Sequence, residues 1–214
     1  MAATLNFAFS TCPNDTFAFH ALVHGLVPGP AITTHLDDIE ALNLRAESGE
    51  AEVTKISLAA YLHLRDKYAL MRAGGAAGFG VGPILIAKTA RSVGGRIAIP
   101  GNTTTAALLL RFFGRETGTQ FETVAMRFDH IEDAVLRGDA DCGVLIHEGR
   151  FTYQDKGLVL LQDLGEFWEA RLKCPLPLAA IANRCGIEHP QYMAEAFKRL
   201  FGLTPGRFRA AHRQ

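Results

Sequence analysis

The feature that most constrains this chain is an alternation of short apolar runs with helically spaced stretches, and the alternation starts twice. It argues for α/β architecture. The first series predicts strands over Thr4–Ser10, Ile32–Leu36 and Glu52–Ile56. Helices are expected over Asp15–His24, Asp38–Ser48 and Ser57–Lys67, the last with Ser57 as its N-cap. Leu70–Ala73 and Gly82–Ala87 read as strands around a glycine-rich turn, Gly74–Gly82. The pattern restarts with a strand at Arg96–Pro100, a turn at Gly101 and a helix Thr104–Arg115 capped by Asn102 or Thr103. Strands Glu122–Phe128, Cys142–Ile146 and Gly157–Leu161 follow, with helices His130–Arg137 and Glu166–Leu172, and Leu176–Ala182 is again apolar. Two α/β units in series are expected, joined near Lys88–Gly95. The prolines and leucines of 175–178 can return the chain to the first unit, and two such crossings place a cleft between two lobes.

Composition narrows the function. The 214 residues suffice for one large domain or two small ones, and 48% hydrophobic residues supply an ordinary globular core. Lys+Arg and Asp+Glu are 22 each, which argues against a uniform polyanion binder. The balance is uneven: Arg184–Gln214 holds six basic and two acidic residues, against 16 and 20 in the rest. The first residues carry no basic stretch followed by an apolar one, so no secretory signal is expected, and no apolar run reaches the length of a membrane span. Cys12, Cys142, Cys174 and Cys185 are scattered without a CxxC pair. They read as small hydrophobes kept reduced, not as a zinc site.

Ligands of open α/β sheets bind beyond the C-terminal ends of strands. Four polar segments hold such positions: Ser10–Asp15, Lys55–Ser57, Gly101–Ala106 and His147–Arg150. The middle two open helices, whose free N–H groups suit a carboxylate or oxyanion. The threonines of the third can equally be caps and nothing more. His147 ends an apolar strand and precedes Glu148 and Arg150. A neutral imidazole there can accept a proton near neutral pH, tuned by a neighbouring carboxylate. Lys55, beside Ser57, either holds an acid group or is simply solvated. His20, His24 and His63 read as structural. Walker A, HExxH, GxSxG and strand-linked GxGxxG patterns are missing, and Gly78–Gly82 reads as a tight connection.

Taken together these segments resemble the 1,4-dihydroxy-6-naphthoate synthase family of the futalosine route to menaquinone. The resemblance is carried by FSTCPNDTFAFHALVHG (Phe9–Gly25), DDIEALN (Asp37–Asn43), VTKISLAAY (Val53–Tyr61), GFGVGP (Gly78–Pro83), IPGNTTTAALLL (Ile99–Leu110), GVLIHEGRFTY (Gly143–Tyr153) and DLGEFWEARLKCPLPLAAIANR (Asp163–Arg184). It implies a periplasmic-binding-protein-like fold of type II, two α/β lobes around a cleft. Lobe 1 would comprise 1–88 plus 178–184, lobe 2 would comprise 89–177, and a basic helical tail would cover 185–214. The resemblance further implies a cytoplasmic lyase. It would cleave cyclic dehypoxanthine futalosine, a carboxylate-bearing small molecule, to 1,4-dihydroxy-6-naphthoate and dihydroxyacetone. His147 matches the proton acceptor. Lys55, Ile56 and Ser57 match one substrate-binding segment, and Thr104, Thr105 and Ala106 match the other. No metal or organic cofactor is called for.

After Arg184 the family pattern is expected to stop, leaving the first lobe incomplete at its C-terminus. GIEHPQYMAEAFKRLFG and LTPGRFR instead resemble the last helix-turn-helix of AraC/XylS-type regulators. A helix Gln191–Phe201 is expected there, with an apolar face able to cover part of lobe 1. One reading is a truncated or joined synthase, and the other is a regulator whose synthase-like body senses a menaquinone precursor. One basic helix gives only weak phosphate contact, so sequence-specific DNA binding is not expected. An enzyme and a non-catalytic small-molecule sensor both remain open at this level, since one fold serves both.

Overall fold

The computed structural model describes residues 4–71 and 74–183. The expected tail, its helix Gln191–Phe201 and Cys185 lie outside the described residues. The first sheet has β1 (Leu5–Ser10) at its heart, parallel to β2 (Ile32–Asp37) on one side and β3 (Val53–Ser57) on the other. Between them run α1 (Pro13–Val23) and α2 (Ile39–Ser48), and α3 (Leu58–Leu64) follows β3. Two short strands, β4 (Ala69–Leu70) and β5 (Ala76–Gly78), pair with the later β11.

The second sheet has the order β10-β6-β9-β7-β8. Its members are β6 (Ile84–Ala87), β7 (Gly95–Ile99), β8 (Phe121–Ala125), β9 (Cys142–Leu145) and β10 (Val159–Asp163). Strands β7, β8 and β9 are parallel to one another, while β6 runs antiparallel between β9 and β10. Its helices are α4 (Thr105–Thr117), α5 (Ile131–Arg137), the single turn α6 (Gly149–Thr152) and α7 (Leu164–Leu172). The chain then returns as β11 (Leu176–Asn183), antiparallel to β3.

Helix boundaries follow from capping chemistry. The Asp38 carboxylate accepts from the amides of Glu40 and Ala41, and α2 ends at Gly49 in the left-handed region, φ 73°. Thr104, and not the expected Asn102 or Thr103, caps α4 through the Ala107 amide, and Asp163 caps α7 through those of Gly165 and Glu166.

Both faces of the second sheet are covered. On one, Leu109, Leu110 and Phe113 of α4 pack with Ile97, Ile99 and Trp168. Burying each such side chain contributes roughly 1.5–3 kcal/mol. On the other, Ile131 and Val135 of α5 pack on Ile86 and Ala98. Helix α5 can sit this close to β9 because position 143 is glycine. A Cβ there would lie 2.5 Å from Ile131 Cγ2 and 3.0 Å from Val135 Cγ2.

Several expectations need correction. Ile84–Ala87, read as part of lobe 1, pairs within the second sheet, so the chain has crossed before residue 84. A short buried apolar run carries no mark of which sheet it joins. The glycine-rich Gly74–Gly82 segment is not all turn, because Ala76–Gly78 pairs with β11. The strand expected to reach Phe128 stops at Ala125, and Phe128–His130 is a 3-10 turn. Ser57 sits at the N-cap of α3, but its side chain makes no capping bond.

Candidate active site

The two sheets enclose a cavity of about 540 Å³, lined from both sides. That lies within the roughly 300–1,000 Å³ typical of small-molecule pockets. All four polar segments singled out in the sequence contribute to its wall.

From the first sheet comes the end of β1. Ser10 is followed by the start of α1, which turns Asp15 back so that it is buried, 3% exposed. One Asp15 oxygen accepts from Ser10 Oγ at 2.6 Å and from Ser10 N at 3.2 Å. The other pairs with the ammonium of Lys55, which is itself buried. Alternation along β3 sends Lys55 and Ser57 to the cavity and Ile56 to the opposite face. There Ile56 packs with Ala60, Tyr61 and Tyr68, away from the cavity lining. Among the expected site residues it is the one whose side chain is not brought to the cavity.

From the second sheet come Thr104, Thr105 and Ala106 at the start of α4. Both threonine hydroxyls already have partners. Thr104 Oγ1 donates to Gly101 O and accepts from Ala107 N. Thr105 Oγ1 donates to Leu178 O of β11 at 2.8 Å, a bond from α4 to the first sheet. The capacity left at this segment is in the backbone. The amides of Thr105 and Ala106 are the first two of the helix and have no intrahelical acceptor.

His147 follows β9 and lines the cavity, half-buried. Its φ of 55° lies in the left-handed region, which costs a non-glycine residue roughly 1–2 kcal/mol. The Phe128 ring meets its imidazole edge-on, with centroids 5.3 Å apart. Burial pulls the imidazole pKa below its ordinary value. The charges of Glu148 and Asp15 oppose that shift, and the Lys55 ammonium adds to it. A neutral imidazole at neutral pH is the result, the form that accepts a proton.

Arg150 ties the Gly78–Gly82 connection to this wall. Its guanidinium pairs with the buried Asp163 at 2.5 Å and donates to Gly82 O at 2.9 Å and Gly80 O at 3.3 Å. The glycine-rich segment, read only as a connection, is thus part of the cavity wall through Val81, Gly82 and Pro83.

Sequence reasoning did not single out Asp15, Glu40, Asn43 or Asp163 as individual site residues. Asn43 carried one usable signal. It is a poor helix former placed between leucines in the middle of α2, and a buried side chain of that kind needs polar partners. Among the described residues no cluster of three or more His, Cys, Asp or Glu side chains could hold a metal ion, and no helix is long and apolar enough to cross a membrane.

A family model described as menaquinone biosynthesis matches residues 5–203. The family pattern therefore continues past Arg184, where the quoted motifs ended. The chain is 46% identical over 183 residues to the 1,4-dihydroxy-6-naphthoate synthase of Thermus thermophilus, covering 84% of this chain and 66% of that protein. It thus spans slightly less than two thirds of that relative. Among solved structures, protein AF1704 from Archaeoglobus fulgidus superposes with a TM-score of 0.80 at 42% identity, covering 92% of this chain and 74% of that one. The alkanesulfonate-binding protein SsuA from Xanthomonas axonopodis pv. citri superposes with a TM-score of 0.66 at 15% identity, covering 91% and 68%. That likeness concerns the fold alone: two α/β lobes of the periplasmic-binding-protein kind.

Proposed function

The chain belongs to the menaquinone-biosynthesis family, and on that premise we propose that it is a carbon–carbon lyase of the cytoplasm. In this reading it converts cyclic dehypoxanthine futalosine to 1,4-dihydroxy-6-naphthoate and dihydroxyacetone. The observation that carries the proposal is His147: a strained, half-buried, neutral imidazole opening on a cavity walled by both candidate substrate segments. Backbone strain of this kind concentrates where structure serves function.

The chemistry is a retro-aldol cleavage. His147 takes the proton of a substrate hydroxyl, and the O–H electron pair closes to a carbonyl. The adjacent C–C bond breaks, and its electrons pass to the other fragment as an enolate, which is then protonated. Developing negative charge needs donors fixed in advance, and the Thr105 and Ala106 amides at the start of α4 are suited to that task. Lys55 and Ser57 hold the substrate from the other wall. The Ile56 side chain faces the core, so in this reading that residue serves through its backbone.

Family membership favours this reading over a sensor on the same fold. The purified 214-residue chain should release both products from cyclic dehypoxanthine futalosine. Saturable binding without product formation would overturn the lyase assignment.

A further inference from the structure

Helix α2 lines the cavity through Ile39, and two of its other side chains tie the polar segments together: Asn43 bonds to both Ser57 and Thr103, and Glu40 to Asn102 and Thr103. Asn43 is fully buried. Its Oδ1 accepts from Ser57 N at 2.9 Å, and its Nδ2 donates to Ser57 Oγ at 3.0 Å and to Thr103 Oγ1 at 3.0 Å. Only one orientation of the carboxamide satisfies these bonds, because the Ser57 amide must meet an oxygen. Thr103 Oγ1 then donates to Glu40 Oε2 at 2.6 Å, and Glu40 Oε1 accepts from Asn102 N at 2.7 Å. Gly101, φ 136°, is what allows this approach, since a Cβ there would overlap the Glu40 carboxylate.

We infer that Asn43 is a positioning residue that fixes the Ser57 hydroxyl as a hydrogen-bond donor into the cavity and ties it to Thr103 of the opposite wall. Both Asn43 N–H protons are used, one of them on Ser57 Oγ, so that oxygen already acts as an acceptor. The Ser57 proton has no acceptor among the described residues, and Ser57 lines the cavity. The Thr103 hydroxyl is an acceptor for Asn43 and a donor to Glu40, which makes it an internal link and not a ligand contact. A ligand atom facing Ser57 must therefore be an acceptor, such as a carboxylate or carbonyl oxygen. One carboxamide thus holds both the end of β3, at Ser57, and Thr103, two residues before α4.

This inference rests on the reading that the 55–57 and 104–106 segments hold the substrate. It is tested on the full chain with Asn43→Asp, Ser57→Ala and the double variant, by calorimetric binding of 1,4-dihydroxy-6-naphthoate. Asn43→Asp keeps the shape and the bond to Ser57 N but offers acceptors only, so the Ser57 proton turns away from the cavity. Each single variant should weaken binding about tenfold, the scale of one hydrogen bond to a charged group. Asn43→Asp should add less than about twofold when Ser57 is already alanine, since coupled residues fail to add. Equal losses on both backgrounds, or no loss, would overturn the inference while leaving the lyase reading intact. A wild-type chain that does not bind the naphthoate would overturn both. Should Asn43→Asp not fold, Thr103→Val is expected to weaken binding several-fold and Thr103→Ser to restore it. Wild-type affinity in Thr103→Val would overturn the proposed relay.

Discussion

The two walls of the cavity differ in what their polar groups have left to give. On the first-sheet wall, Asp15 and Lys55 are both buried and paired with each other, and Asp15 also takes the Ser10 hydroxyl and amide. On the second-sheet wall, His147 is strained and half-buried, and the leading amides of α4 have no intrahelical acceptor. A buried pair of full charges is stiff, because moving either partner exposes an uncompensated charge to a low dielectric. In the proposed reading the first wall is a frame against which a substrate is held. The second wall keeps the groups that can move a proton or meet a developing charge. The polar clasp through Glu40, Asn43 and Thr103 holds the reactive wall against the frame.

Breaking the frame should have the largest effect on folding. Asp15→Ala leaves Lys55 buried without its partner and is expected to cost about 3–5 kcal/mol, read from urea unfolding. Replacing the pair together, Asp15→Asn with Lys55→Met, should recover most of that loss. A loss below about 1 kcal/mol in Asp15→Ala, the scale of an exposed pair, would remove the distinction between the walls. On the second wall the structural stakes are smaller. Thr104→Ala removes a cap and is expected to cost about 1 kcal/mol, with turnover falling further than stability because the α4 amides lose their fixed direction.

The finest contrast is electrostatic. Catalysis in this account needs neutral His147, whose pKa burial holds below its ordinary value of about 6.5. The rate should therefore be full at neutral pH and be lost as pH falls through that lowered value. Phe128→Ala opens the imidazole to water and should move this acid limb upward, toward the ordinary value. A limb at or above about 6.5 in the wild-type chain would contradict the burial argument.

Much of the fold was legible because its signals are local. The helical stretch of α2 and the apolar runs of β1, β7 and β9 are marked within their own segments, whereas the cap of α4 falls on Thr104 and not on Asn102 or Thr103. His147 was legible as the end of such a run. Less legible was whatever depends on distant partners. Asp15 meets Lys55 across 40 positions and Asn43 meets Thr103 across 60, so neither pair leaves a spacing to read. The same distance hid the second-sheet membership of Ile84–Ala87. The threonines of 104–105 read equally well as caps or as ligand donors, and their hydroxyls turn out to be bound within the fold. The role of Ser57 was obscured for a related reason. An N-cap position predicts a capping hydroxyl, yet Asn43 takes that oxygen instead.

The central claim is that chemistry resides on the second wall, at His147. Single-turnover conversion of cyclic dehypoxanthine futalosine by the wild-type chain and by His147→Ala, with substrate affinity measured on both, tests it most directly. The account expects the variant to stay folded, to bind within a few-fold of wild type, and to react about 10²–10⁴-fold more slowly. A variant that cleaves the substrate at near-normal rate would place the base elsewhere and contradict the account.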